Sequence, residues 1–452
     1  MSFIRLKHFL AIDRAIGVTS ATQLIRFVTG PITMLLIIKY LSPADQGFFY
    51  TFAGVAGIQV FLEAGFAVSI AQFTAKEFAG LRFTKSGFLK GKSENLSRLR
   101  SIYQKAFRYY STMAVVLTLG IGIGGYLFFS AKPSDGVNWQ LPWIVVAICM
   151  GLQFLLTPFW AVLEGCNRVA DVATYYFWMT LTGFSVSALG FVITQSLDVV
   201  IFTSVASLLT GYAYIFGKWL NLRTQVRRPF RKHQQVAWFQ EIWGFQWRIV
   251  GTWTGRYFLE AGIPAIAFQL FGPIVAGQAG MSFQLSKMAG GIASSWTATK
   301  IPFWGQLVAQ NKRRELDTSW RSAARMNLIV SFIGQASVLI ALMFFAHFLP
   351  QYAHRLFSPL TFAGLSIGWF LYSFWLISMH YVRAHRLEPF VWAHWLLAVS
   401  FLFLLIVGKG NFGPAALTYS FAIVHLPVAI WSLLVMKKLQ RQSAASELRN
   451  DE

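Results

Sequence analysis

The sequence predicts an all-α polytopic membrane protein, with twelve transmembrane helices arranged as two pseudo-symmetric six-helix bundles around a central cavity. Three observations carry that prediction. Over 452 residues the chain is 56% hydrophobic and only 12% charged, with a mean hydropathy of +0.52, far more apolar surface than a soluble chain of this length needs. Its apolar residues gather in windows of about 20, the length that crosses ~30 Å of hydrocarbon. A pattern of Arg, long apolar run, Pro-x3-Gly occurs twice, once from Arg26 through Pro43 to Gly47 and again from Arg256 through Pro273 to Gly277. Each arginine stands about 17 residues before its proline, and the two copies are roughly 230 positions apart, half the chain.

The predicted spans are, in order, Ala15–Ile38, Phe48–Ala71, Tyr109–Phe129, Leu141–Leu163, Val172–Thr194, Val199–Gly217, Ile249–Phe271, Ile274–Thr297, Met326–Phe348, Leu360–Tyr381, Phe390–Gly408 and Phe412–Met436. About 31 of the 39 Lys and Arg fall in one set of connecting loops and about 4 in the opposite set, which places both termini on the cytoplasmic side. Arg5, Lys7 and Arg14 precede a first run long enough to stay as an anchor, so no cleavable signal is expected. Six helices per half is an even number. The second half then inserts like the first, and the bundles are related by an axis along the membrane normal. The expected domains are residues 1–217 (first bundle), 218–247 (a basic amphipathic cytoplasmic linker), 248–436 (second bundle) and 437–452 (a cytoplasmic tail).

The loops opposite the basic face are short, so there is no external domain to hold chemistry. Within 76–108, Leu96, Leu99, Ile102, Ala106 and Tyr109 recur at helical spacing. Within 299–325 and just beyond, Leu316, Trp320, Ala323 and Leu328 do the same. Both are expected as amphipathic helices on the inner leaflet, against anionic lipids. Cys149 and Cys166 have neither metal nor disulfide spacing. His380, His385 and His394 show no metal-site pattern, and no cofactor or nucleic-acid motif is present. The run Gly120 to Gly125 imitates a nucleotide loop, but it lies inside a span with no preceding strand. Gly251-x3-Gly255 and Gly364-x3-Gly368 are helix-packing spacings. Pro31, Pro158, Pro264 and Pro427 fall inside spans and allow bends. Trp238, Trp243, Trp247 and Trp253 read as an interfacial aromatic belt at the start of the seventh span.

The chemistry rests on ionisable residues at membrane depth, each costing about 2.5–3.5 kcal/mol on insertion scales. They are Arg26 in the first span, Glu63 in the second, Arg256 and Glu260 in the seventh and Lys287 in the eighth. Arg26, Arg256 and Lys287 form the expected cationic cavity, which suits phosphate or pyrophosphate oxygens. Arg256 and Glu260 are four apart on one helical face and can neutralise each other. Glu63 is placed either to pair with Arg26 or to hold a coupling proton or sodium ion.

The stretch from Arg26 through Leu41-Ser42-Pro43-Ala44-Asp45-Gln46-Gly47, then Phe52 and Glu63-Ala64-Gly65-Phe66, resembles the N-terminal signature of Wzx-type polysaccharide flippases. Their superfamily also holds the MurJ-type lipid II flippases and the MATE exporters. The resemblance implies export of a polyprenyl-pyrophosphate-linked oligosaccharide, an O-antigen or exopolysaccharide unit, across a bacterial inner membrane. It implies alternating access through a cationic lumen lined by Arg26, Arg256 and Lys287, and work alongside a polysaccharide polymerase and chain-length proteins. MurJ-type members carry two further helices that this sequence does not show. The alternatives are a MATE-like cation-coupled exporter of small molecules, which would present acidic groups to its cavity, and a membrane-embedded ligase or polymerase, which would need the external loops that are missing here. A non-enzymatic transporter is therefore expected.

Overall fold

A computed structural model describes residues 14–451, apart from 64, 231–234, 239–254, 299, 311, 386 and 388–390. The chain divides into two compact units, Met1–Trp253 and Thr254–Glu452. It is almost entirely helical. Its many apolar helices make it an all-α, multi-pass membrane protein.

The first unit begins with α1 (Arg14–Tyr40), which continues unbroken through Pro31. The signature Leu41 to Gly47 turns out to be a helix start. Ser42 caps α2 (Pro43–Ala56), its hydroxyl accepting from the Asp45 N–H at 3.0 Å while the Asp45 carboxylate accepts from the Ser42 N–H at 3.3 Å. This reciprocal box, with proline at the first helical position, satisfies backbone donors that every helix start leaves open. The second span is broken rather than straight. After α3 (Gln59–Glu63), Gly65 takes a left-handed conformation with φ +68, and the chain resumes as α4 (Phe66–Phe78). The break frees the Leu62 carbonyl, and the Tyr109 hydroxyl donates to it at 2.6 Å.

A two-stranded antiparallel hairpin follows, β1 (Leu81–Phe83) and β2 (Leu89–Gly91), with Arg82 opposite Lys90. Then comes α5 (Ser93–Ser130), a single helix of 38 residues. At 1.5 Å per residue it is ~57 Å long, nearly twice the hydrocarbon thickness. The segment expected to lie flat on the inner leaflet is instead the first half of this helix. No proline separates the two halves, and Leu99, Ile102, Tyr103 and Ala106 are buried against protein. The fourth span is α6 (Gln140–Phe154) and α7 (Thr157–Gly165), interrupted just before Pro158. The fifth and sixth are α8 (Val169–Thr194) and α9 (Val199–Lys218), followed by α10 (Leu220–Val226). Part of the expected linker is therefore structured. Gln225 on α10 donates its amide to the Leu89 carbonyl at 2.7 Å and accepts from the Leu89 N–H at 2.6 Å, capping the free edge of β2 with a side chain.

In the second unit the seventh span lies partly outside the described residues, as do Gly251, Trp243, Trp247 and Trp253. What is described is a helical turn over 255–259, a break, and α11 (Ile263–Phe271) with Pro264 in its first turn. The eighth is α12 (Pro273–Ala298). It is followed by α13 (Ile301–Ala309), α14 (Arg313–Phe348), the short α15 (Pro350–Ala353), α16 (Pro359–Ala384), α17 (Val391–Phe412), a 3-10 turn at Gly413–Ala415 and α18 (Ala416–Asp451). As in α5, the basic segment before the ninth span is continuous with it in the 36-residue α14, and Leu316 at its start is fully buried.

Eight helices among the described residues pass a length-and-hydropathy test for spanning, or nine with the bent α2–α4 segment. The difference from twelve has three sources. The seventh is described only in part, the 26-residue α12 carries Gln, Ser and Lys between its apolar residues, and Trp392–Arg441 is taken as one stretch. That last stretch doubles back. His394 on α17 meets Trp375 at 5.2 Å between ring centres, and His425 on α18 meets Tyr372 at 5.7 Å, one turn away on α16. α17 and α18 are thus two antiparallel passes.

Glycines hold these helices close. A Cβ at Gly364 or Gly368 would fall 2.7 Å from Tyr419 and 2.4 Å from Phe421, so the pair brings α16 against α18. A Cβ at Gly125 would fall 2.1 Å from the indole of Trp143, which is fully buried and donates to the Gly122 carbonyl at 3.1 Å. The nucleotide-like glycine run is therefore a seat for one tryptophan. Gly125→Ala is expected to cost about 1–3 kcal/mol, the usual penalty for overpacking. A thermal melt of the detergent-solubilised variant checks this, and Gly124→Ala, which faces open space, serves as the silent control.

Candidate functional site

The ionisable residues at membrane depth fall into one group in each unit. In the second unit, Glu260 sits where the helical turn over 255–259 ends, its N–H and that of Gly262 both directed at the Tyr257 carbonyl. Its carboxylate is 9% exposed and takes two cations, Arg256 through Nε at 2.5 Å and Lys287 through Nζ at 2.6 Å. The Tyr372 hydroxyl reaches the same carboxylate at 3.5 Å, and Tyr372 in turn packs on the buried His425. The pairing of Arg256 with Glu260 follows from their four-residue spacing on one helix. Lys287 joins from α12, so the cluster holds two positive charges on one negative. Both cations stay half exposed, at 49% and 54% of their side chains, while the carboxylate beneath them is covered.

In the first unit Arg26 is exposed on α1, and among the described residues no carboxylate lies within ion-pair distance of it. Its Nε donates to the Thr180 hydroxyl on α8 at 3.4 Å. With Thr19, Thr22, Gln23, Ala173 and Tyr176 it lines a polar pocket of about 190 Å³ between α1 and α8. Tyr176 also lies within electrostatic reach of Glu63 and Glu164. Glu63 closes α3 at the Gly65 break, half-buried, and among the described residues it makes no ion pair; Arg26 is not its partner.

Sequence reasoning missed Glu164, Tyr372 and His425. Glu164 stands one residue past the end assigned to the fourth span and so was counted with the turn. Tyr372 reaches Glu260 from a helix more than a hundred residues away, and His425 packs on Tyr372 from another, which no local pattern reveals. One signal was available. Phe61-Leu-Glu-Ala-Gly65 recurs letter for letter as Phe258-Leu-Glu-Ala-Gly262, and both copies carry their glutamate to the end of a helical segment. Among the described residues no three His, Cys, Asp or Glu gather as a metal site, and Cys149 and Cys166 are both free and buried.

No family profile matches the chain, and no curated protein does. Solved structures do. An inward-facing multidrug resistance MATE family transporter of the MOP superfamily is similar over 94% of this chain and 96% of its own, at 13% identity and a TM-score of 0.64. The lipid II flippase MurJ in an inward closed conformation is similar over 93% of this chain and 87% of its own, at 11% identity and a TM-score of 0.66. The chain has the MOP transporter fold. A further MOP superfamily transporter, from Pyrococcus furiosus, covers 95% of this chain and 96% of its own at 14% identity and a TM-score of 0.52, and a reverse polarity of its binding pocket is held to suggest a different function. At these identities the likeness is one of fold. Fold alone does not fix function, so a functional reading has to start from the two charge groups just described.

Proposed function

We propose that this MOP-fold chain flips a polyprenyl-pyrophosphate-linked oligosaccharide, an O-antigen or exopolysaccharide unit, from the cytoplasmic to the periplasmic leaflet of a bacterial inner membrane. The observation that carries the reading is the Arg256–Glu260–Lys287 cluster. One covered carboxylate orients two cations whose side chains stay half exposed, leaving a net positive charge to meet a diphosphate. Guanidinium matches phosphate oxygens in a bidentate fork, and ammonium adds a point charge. Arg26, held only by a hydroxyl, supplies a third cation from the first unit. Alternating access to either leaflet completes the proposal, with both termini cytoplasmic, as the distribution of Lys and Arg leads one to expect. A polysaccharide polymerase and chain-length proteins would act on the product.

A second reading has one observation in its favour. Glu63, Glu164 and Arg26 all lie within electrostatic reach of Tyr176 in the first unit, two carboxylates to one arginine. That arrangement suits a coupling proton or sodium ion, and it also suits the cationic cargo of a MATE-like exporter.

Reconstituted vesicles separate the two. One set carries a fluorescent polyprenyl-pyrophosphate glycan and the other a cationic dye. Movement of the glycan lipid alone supports the flippase reading, and movement of the dye alone replaces it with the exporter. In cells, deletion of the gene is expected to leave the lipid-linked glycan on the cytoplasmic leaflet.

A further inference from the structure

A second pocket lies in the first unit and shares no lining residue with the Arg26 pocket. It is about 230 Å³ and is enclosed by α5, the α6–α7 break, the last turns of α9, and α10. Its wall is apolar and aromatic, with Phe107, Leu155, Leu156, Phe159, Ile215 and Phe216. Arg223 on α10 and Arg227, the residue that caps its C-terminal end, stand at its rim four residues apart, the first with its guanidinium 4.3 Å from the Phe216 ring and the second 5.1 Å from the Phe107 ring.

Three features make this more than a crevice. The arginines are like charges at a spacing that disfavours a helix by a few tenths of a kcal/mol, and among the described residues neither has a carboxylate partner. Burial, and after it the charge of Arg227, pull the Arg223 guanidinium below its ordinary value. The position is also specific. Phe216 of its wall is exposed at 46%, and so are Leu209 earlier on α9 and Leu220 at the start of α10, at 62% and 44%. The mouth thus lies where an outward apolar helix face gives way to the basic segment after Lys218, the depth of a lipid phosphate.

We propose that this pocket binds an anionic phospholipid, its phosphate on Arg223 and Arg227 and the adjoining chain against the aromatic wall. The shared chemistry is a phosphate, which a free ion can also supply; the apolar wall favours the lipid. The site does not depend on what the protein transports.

The test uses the full chain in nanodiscs of phosphatidylcholine with and without phosphatidylglycerol. The readouts are bound lipid by native mass spectrometry and the unfolding temperature, with inorganic phosphate as a parallel ligand. The wild type is expected to retain phosphatidylglycerol over phosphatidylcholine, and Arg223→Ala/Arg227→Ala to lose that preference by roughly tenfold or more, as charge-assisted contacts imply. Ile215→Trp, which fills the wall but keeps both arginines, is expected to weaken lipid retention as well. Lys312→Ala/Arg314→Ala, removing exposed charge from the second unit, is expected to change nothing. The proposal is overturned by equal retention of the two lipids, by an arginine-free variant that keeps its preference, or by inorganic phosphate stabilising the protein as much as the lipid does. Because Arg223 and Arg227 are at least partly exposed, their double variant remains foldable if Ile215→Trp does not.

Discussion

The double substitution Arg256→Ala/Lys287→Ala is expected to destabilise the second unit by about 3–5 kcal/mol, far beyond the sum of its two single changes. Either cation alone can neutralise Glu260, and each is half exposed, so each single loss resembles that of a surface pair, about 0–1 kcal/mol. Removing both strands a carboxylate that is 9% exposed, with a tyrosine hydroxyl as its one remaining side-chain partner among the described residues. Adding Glu260→Gln to the double variant removes the stranded charge and is expected to restore most of the loss. Unfolding midpoints of the four variants in one detergent measure this. Additive single and double losses, or a triple variant no better than the double, would show that Glu260 is neutralised from elsewhere.

The second large effect concerns transport. Arg26→Ala is expected to lower glycan-lipid export by about 10- to 100-fold, the worth of one or two hydrogen bonds to a charged group, while the protein stays inserted and folded. Stability should be nearly unchanged, because the guanidinium is exposed and makes one long bond to Thr180. Arg26→Lys keeps the charge but not the planar fork and should fall between the two. Export by the alanine variant at the wild-type rate, with equal protein in the membrane, would remove Arg26 from the substrate path.

Much of this architecture can be read directly from residue order. Ser42-Pro43 with Asp45 announces a helix start, and the first, fifth and sixth spans end within a few residues of where hydropathy puts them. The surface helices were misread for a reason. Amphipathic spacing at Leu96 to Tyr109 records one apolar face and one basic face, and it cannot say whether protein or lipid covers the apolar one. Only the buried Leu99 and Ile102 decide it. The break at Gly65 was likewise invisible, since glycine inside an apolar run is equally at home in a straight helix. At the site, local spacing revealed the Arg256–Glu260 pair. Lys287, Tyr372 and His425 arrive through tertiary packing, and Glu164 was lost to a boundary drawn one residue short.

The clamp at Gln225 has a mechanical meaning. One amide side chain ties α10 to the strand that precedes α5, while Arg100 and Gln104 on α5 grip the carbonyls of Gln225, Val226 and Arg228 from the other side. Hairpin, long helix and terminal segment are riveted at one corner. A motion that tilts any of them drags the rest along, so this corner of the first unit can move as a block, but cannot flex by sliding those pieces past each other without shearing five hydrogen-bonded joints to the backbone there.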